Sequence, residues 1–276
     1  MTFQSRQWPI LDFDPSSEAL LNPTHENLGL QVPRQFVMAF VGKQVPLYAW
    51  SHHARRLGTF SCVSQKIPIY QVKGKHRSIG ICAAPVGAAL AVQLLDWLIG
   101  YGAQQIIVTG SCGTLNALPE NKFLIPTAAL RDEGTSYHYL PPQRWVNLDS
   151  KLIAQLQQTL FKHGYDCTLC RTWTTDGFFR ETQDLVNCRQ QEGCSVVEME
   201  CAALAACAQF RKVQLAQLLY SADTLAVGQH QNRHWGRQVQ GLALRLCIAS
   251  LQECRQLKKR SLDELKIAAY YSSYFT

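Results

Sequence analysis

Cys194-Ser-Val-Val-Glu-Met-Glu-Cys-Ala-Ala-Leu-Ala-Ala-Cys207 joins a β-branched pair to an Ala/Leu-rich run. That change of pattern predicts a short strand ending where a helix begins. Glu198 and Glu200 sit at the join, separated by Met199. In an extended chain residues i and i+2 project to one side, so both carboxylates are expected to leave the strand end together. Open parallel sheets bind ligands at this carboxyl edge. An acceptor-only carboxylate there can take both hydroxyl protons of a cis-diol. From this stretch alone a second role stays open for Glu200, an acid in the first turn that favours the helix dipole.

The rest of the chain sets bounds around that join. Its 276 residues, 47% of them hydrophobic, suffice for one large α/β domain with a sizeable core. No window approaches the roughly 20 apolar residues of a membrane span, and the N-terminus has no apolar secretory core. The 11 cysteines are odd in number and lie in apolar runs, as expected of reduced, buried thiols in a cytoplasmic protein. Cys167 and Cys170 have redox or zinc spacing, but no second Cys or His pair accompanies them, so no metal is expected. The net charge of +7 is partly local, with Arg255, Lys258, Lys259 and Arg260 near the C-terminus. No nucleic-acid motif goes with it, and neither nucleic acid nor a membrane is an expected partner.

In order, strands are expected at Gln35–Val41, from Pro68 to Lys75, and at Ser78–Ala83. Helices are expected at Val45–Leu57 and Ala88–Tyr101. Gln105–Thr109 reads as a buried strand closed by the turn Gly110-Ser-Cys-Gly113, and Phe123–Pro126 as another strand. Arg131–Pro142 reads as a polar, aromatic loop. Asp149 or Ser150 caps a helix ending near Gly164. A strand at Thr168–Thr175, a helix at Glu181–Glu192, the Val196 strand and its helix follow. Val213–Ala222 is a strand ending at Asp223, and a last helix runs from Gly236 to about Leu257. This alternation predicts a single-domain, three-layer α/β/α fold around a mixed, mostly parallel sheet. Residues 1–33 form an irregular N-terminal segment, 34–257 the domain, and 258–276 a basic, aromatic appendage.

Besides the glutamate pair, three strand ends carry chemistry. Gly110 and Ser111 either bring backbone N–H groups to an anion or sugar, or make a tight turn. Phe178 either stacks on a flat base or belongs to the core. Asp223 either holds a proton for a leaving group, burial favouring its neutral form, or caps a helix. Arg233 and Arg237 follow it closely. His25, before the first strand, belongs either to the surface or to a site.

Taken together, Gly-Ser-Cys-Gly after an Ile-Ile-Val strand, Val-Glu-Met-Glu before a small-residue helix, and Ser-Ala-Asp at the last strand end resemble the purine and uridine nucleoside phosphorylase superfamily. The methylthioadenosine/S-adenosylhomocysteine nucleosidases share the pattern. The likeness runs from about His25 to about residue 254, and the Arg131–Pro141 loop is most similar to that of uridine phosphorylases. The resemblance implies that Glu200 binds the ribose 2′- and 3′-hydroxyls, with Met199 on the sugar and Glu198 beside it. It implies Phe178 stacked on the base, Val197 in the base pocket, and Gly110 and Ser111 facing the nucleophile. His25 would reach the ribose 5′ end in a neighbouring subunit. Asp223 would protonate a purine at N7, with Arg237 or Arg233 setting its state.

The implied activity is cleavage of a nucleoside N-glycosidic bond by phosphate, giving free base and ribose 1-phosphate. The alternatives are hydrolysis by water and binding without catalysis. No cofactor is implied, phosphate being a co-substrate, and a homo-oligomer, dimer or hexamer, is expected with sites near subunit interfaces. Three departures weigh against phosphate, one being that the family's arginine from a neighbouring subunit has no clear match here, though Lys66 is nearby. Phe40-Val-Gly-Lys43 replaces the family's acidic and arginine-bearing turn, and Val108 stands where a phosphate arginine is usual. Each lost charge-assisted contact is worth roughly 1.5–3 kcal/mol. Lys43, Arg55, Arg56, Lys66, Arg131 and Arg180 remain as possible substitutes.

Overall fold

The computed structural model describes residues 3–74, 77–226 and 230–253. The appendage at 258–276 and the end expected for the last helix lie outside them. The strands are β1 (Gln35–Ala39), β2 (Arg55–Ser61), β3 (Lys66–Val72), β4 (Ile79–Ala83), β5 (Gln105–Thr114), β6 (Phe123–Asp132), β7 (Trp145–Asn147), β8 (Cys167–Thr175), β9 (Val196–Glu198) and β10 (Gln214–Thr224). The helices are α1 (Gln44–Ser51), α2 (Ala88–Gly100), α3 (Ser150–Lys162), α4 (Gln183–Gln191), α5 (Cys201–Phe210) and α6 (Gln240–Glu253).

All these strands belong to one mixed sheet, in the order β10-β6-β8-β9-β5-β1-β4-β3-β2, with β7 on β6. The strands β4, β1, β5 and β10 pair in parallel, side by side. Because β10 pairs with β5 on one side and antiparallel with β6 on the other, the far half of the sheet closes on itself. The ring β5-β10-β6-β8-β9 gathers the carboxyl ends of β8, β9 and β10 near the second half of β5. The chemistry expected at separate strand ends therefore faces one place.

Sequence explains the central elements. In α5 every residue from Cys201 to Ala208 is buried, as an all-apolar helix must be, and its alanines and cysteines let it lie close to its neighbours. α3 starts where expected, with Asp149 Oδ1 accepting from the Leu152 N–H at 2.8 Å.

Several boundaries move. α1 stops at Ser51, and Arg55–Leu57 opens the strand β2 instead of ending the helix. The stretch Gly110–Gly113 is no turn: β5 runs straight through it, pairing Gly110 with Leu219 and Ser111 with Tyr220. β6 continues into the expected loop, and Asp223 lies inside β10 rather than after it. Beyond Asp132 the loop holds itself. Buried Arg131 donates to Ser136 Oγ and to the carbonyls of Leu140 and Pro141.

Candidate active site

A hollow of about 190 Å³ opens at the carboxyl end of the ring. Eight of the expected site residues line it: Gly110, Ser111, Phe178, Val197, Glu198, Met199, Glu200 and Asp223. Phe40, Glu181, Gln217 and Trp235 join them.

Glu198 and Glu200 reach this hollow by different routes. Glu198 is the last residue of β9, and its carboxylate is saturated by protein. Oε1 accepts from the Thr174 and Thr172 hydroxyls at 2.6 and 3.3 Å, and Oε2 from the N–H groups of Glu200 and Cys201 at 2.8 and 2.7 Å. The acid at the start of α5 that satisfies free N–H groups is thus Glu198, not Glu200. Burial pushes the Glu198 carboxyl up, while these four donors pull it down.

Glu200 leaves the strand geometry and stands at the head of α5. Its Oε1 accepts from the Gly87 N–H at 2.6 Å. Burial first, and the neighbouring Glu198 charge second, push its carboxyl up to about 8.

At the other end, Asp223 stands over Gly113. A Cβ at Gly113 would lie 3.0 Å from Val197 Cγ1 and 3.4 Å from both Asp223 carboxyl oxygens, so the missing side chain is what lets β9 and Asp223 come so close. Asp223 Oδ2 bonds His230 Nε2 at 3.1 Å. This corrects the expectation that an arginine accompanies Asp223. Arg237 is exposed and outside the lining, and Arg233 donates to the Leu118 carbonyl at 2.8 Å. The segment bends because Arg233, His234 and Trp235 all have positive φ, at 41°, 54° and 58°. Such strain costs on the order of 1 kcal/mol or more per residue, and the bend brings the Trp235 ring to the hollow.

His25, expected at a neighbouring subunit's site, does not line this hollow. In this chain it lines a separate hollow with Trp97 and Tyr139, and its Nδ1 is 2.8 Å from the Asn22 carbonyl oxygen. Sequence reading passed over Glu181, Trp235, His230 and Phe40. Glu181 is the acid between Phe178 and the Thr182 cap of α4. Burial first, and the Asp223 charge second, push its carboxyl up to about 7. Its place two residues past the aromatic pair was the available signal; His230 and Trp235 had none, since only the bend delivers them.

Among the described residues no lysine or arginine lines the hollow, while four carboxyl groups do. Phe40 packs over Gly110, where its ring would meet an added Cβ at 3.2 Å. Among the same residues, no cluster of three or more His, Cys, Asp or Glu side chains is arranged to hold a metal ion, and no helix is long and apolar enough to cross a membrane.

The closed mixed sheet thus holds a carboxylate-rich hollow at its strand ends. Residues 38–248 match the phosphorylase superfamily, and the chain belongs to that family of glycosyl-bond-cleaving enzymes. Among solved structures it is similar to a uridine phosphorylase from Vibrio fischeri, at 18% identity over 80% of this chain and 92% of that one, with a TM-score of 0.68. An AMP nucleosidase from Bacteroides thetaiotaomicron matches at 19% identity, over 81% and 90% of the two chains, with a TM-score of 0.67. A purine nucleoside phosphorylase from Toxoplasma gondii matches at 15%, over 83% and 93%, with a TM-score of 0.67. At such identities the likeness is one of fold.

Proposed function

We propose that the protein cleaves the N-glycosidic bond of a nucleoside with water as the nucleophile. The observation that carries the choice of water is the lining of the hollow, with four carboxyl groups, no lysine or arginine among the described residues, and the Phe40 ring beside Gly110. A phosphate dianion entering such a site finds no guanidinium or ammonium among the described residues to take up its charge, and the Asp223 charge that raises Glu181 repels it. Water carries no such penalty.

Each requirement of the reaction has a residue. The Glu200 carboxylate takes the ribose diol, Met199 packs against the sugar, and Glu198 fixes the turn that aims Glu200. Phe178 and Val197 hold the base, and Ser111 and Gly110 border the nucleophile side. The sugar becomes oxocarbenium-like as the bond breaks, so carboxylates around it stabilise the developing positive charge. An acid at the base end, where Asp223 and Glu181 stand, then lets the base leave neutral. No cofactor takes part.

The reading includes a homo-oligomer, dimer or hexamer, with His25 serving a neighbour's site. Exposed apolar side chains near the hollow, Val86 and Phe179 at 71% and 92% exposure, support a covering partner. A cytoplasmic location goes with this role.

The test is product analysis over a panel of purine and pyrimidine nucleosides, with and without phosphate. Free ribose at a rate independent of phosphate is expected. Ribose 1-phosphate formed only when phosphate is present would reverse the choice of nucleophile, and saturable binding without release of base would reduce the protein to a binding module.

A further inference from the structure

We infer that Glu181, rather than Asp223, delivers the proton to the departing base, and that Asp223 is the fixed charge that keeps that proton on Glu181. The inference rests on the glycosidic-cleavage reading above and assigns its acid.

The two carboxyls line the same hollow as Phe178 and Val197, and they lie near enough for the Asp223 charge to act on Glu181. They differ in what already holds them. Asp223 is engaged by His230 Nε2 at 3.1 Å and stands over Gly113. The Glu181 carboxyl receives no hydrogen bond from any described residue and stands where the 3₁₀ turn Phe178–Arg180 gives way to α4. A carboxyl free of protein partners and facing a cavity can give its proton to a ligand; one already paired with an imidazole is poorly placed to do so.

The charges around Glu181 favour its neutral form. Asp223, on β10 and bonded to His230, is the charge that acts on it; Glu198 and Glu200 line the same hollow; Arg180, the preceding residue, makes no ion pair among the described residues and does not line the hollow. Burial and the Asp223 charge raise the Glu181 carboxyl to about 7, which is suited to proton transfer near neutrality.

The step balances. The bond from C1′ to the base nitrogen breaks with its electron pair going to the base. The Glu181 proton goes to a ring nitrogen of the base, leaving a carboxylate. The oxygen of water bonds to C1′, and the proton it sheds returns to Glu181 through solvent. The pair regains its starting charge.

The experiment has two arms. Carboxyl titration of ¹³C-glutamate-labelled protein by NMR, with Glu181→Gln identifying the signal, reads the proton without requiring turnover. The Glu181 signal is expected to titrate near pH 7 and to move to lower pH in Asp223→Asn, because removing a negative neighbour makes ionisation easier. A signal in the ordinary carboxylate range, or one that Asp223→Asn leaves in place, overturns the inference. The second arm compares a nucleoside with 4-nitrophenyl β-riboside, whose leaving group departs without a proton. Glu181→Gln is expected to lower kcat on the nucleoside roughly 10²–10⁴-fold and on the activated riboside about tenfold or less. Equal losses on both substrates overturn it. If the unaltered protein cleaves neither, the proposed function falls, and the titration alone still decides whether Glu181 holds the proton.

Discussion

The Gly87 backbone N–H donates to Glu200 Oε1 at 2.6 Å across a sequence separation of 113 residues. This one bond ties the entry to α2 to the head of α5. Gly87 makes it from a backbone position with φ 99°, in the left-handed half of conformational space that residues with a Cβ avoid.

Gly87→Ala should therefore disturb the site through the backbone, since a Cβ there would touch nothing within 4 Å. The expected effect is a stability loss of about 1–2 kcal/mol, with KM for the nucleoside rising more than kcat falls. Denaturant unfolding and steady-state kinetics measure the two. An unchanged KM would mean that the Gly87 bond does not set the carboxylate's aim.

Glu200 is expected to bind the diol as a carboxylate, although its carboxyl holds a proton up to about pH 8 in the free protein. Riboside binding near neutrality should then release a proton, seen as a calorimetric heat that varies with buffer ionisation enthalpy. KM should fall as pH rises toward 8. Glu200→Ala should cost ribosides far more than 2′-deoxyribosides, which present one hydroxyl fewer. Equal losses on the two substrates would remove the diol clamp from the mechanism.

How far the sequence revealed this site depends on the distance over which each residue's role is decided. Glu198, Met199 and Glu200 were readable because strand, acid pair and helix adjoin in one stretch. β2 was not. Its Arg55 and Arg56 lie exposed near the sheet edge, where no buried alternation marks a strand. β7 is only three residues long. Gly110 to Gly113 read as a turn because glycine is the local signal for one, yet here glycine serves close approach between strands. His230 and Trp235 reach the hollow only through a run of left-handed residues, and no propensity predicts three non-glycine residues in that conformation.

The same raised carboxyl makes stability depend on pH. Between the ordinary carboxylate range and about 8, the native state keeps a proton on Glu200 that the unfolded chain has already lost. Stability therefore falls as pH rises through that window, and Glu181 adds to the slope up to about 7. Glu200→Gln keeps an acceptor for Gly87 and has no proton to lose, so its melting temperature should vary less between about pH 5 and 8. Melting curves across that range decide it, and a variant with the unaltered slope would place the proton elsewhere.

Glu198 offers the sharpest separation of shaping from binding. Its four donors come from β8 and from the first N–H groups around α5, so Glu198→Ala leaves buried donors unmet and should cost about 2–4 kcal/mol. Glu198→Gln should lose much less. Its amide oxygen can still accept from the Glu200 and Cys201 N–H groups, and the threonine hydroxyls can turn to accept from its NH₂. If Glu198 only positions its neighbour, Glu198→Gln will keep the preference for ribosides over deoxyribosides that Glu200→Ala destroys. Loss of that preference in Glu198→Gln, with folding intact by circular dichroism, would show that this carboxylate touches the sugar itself.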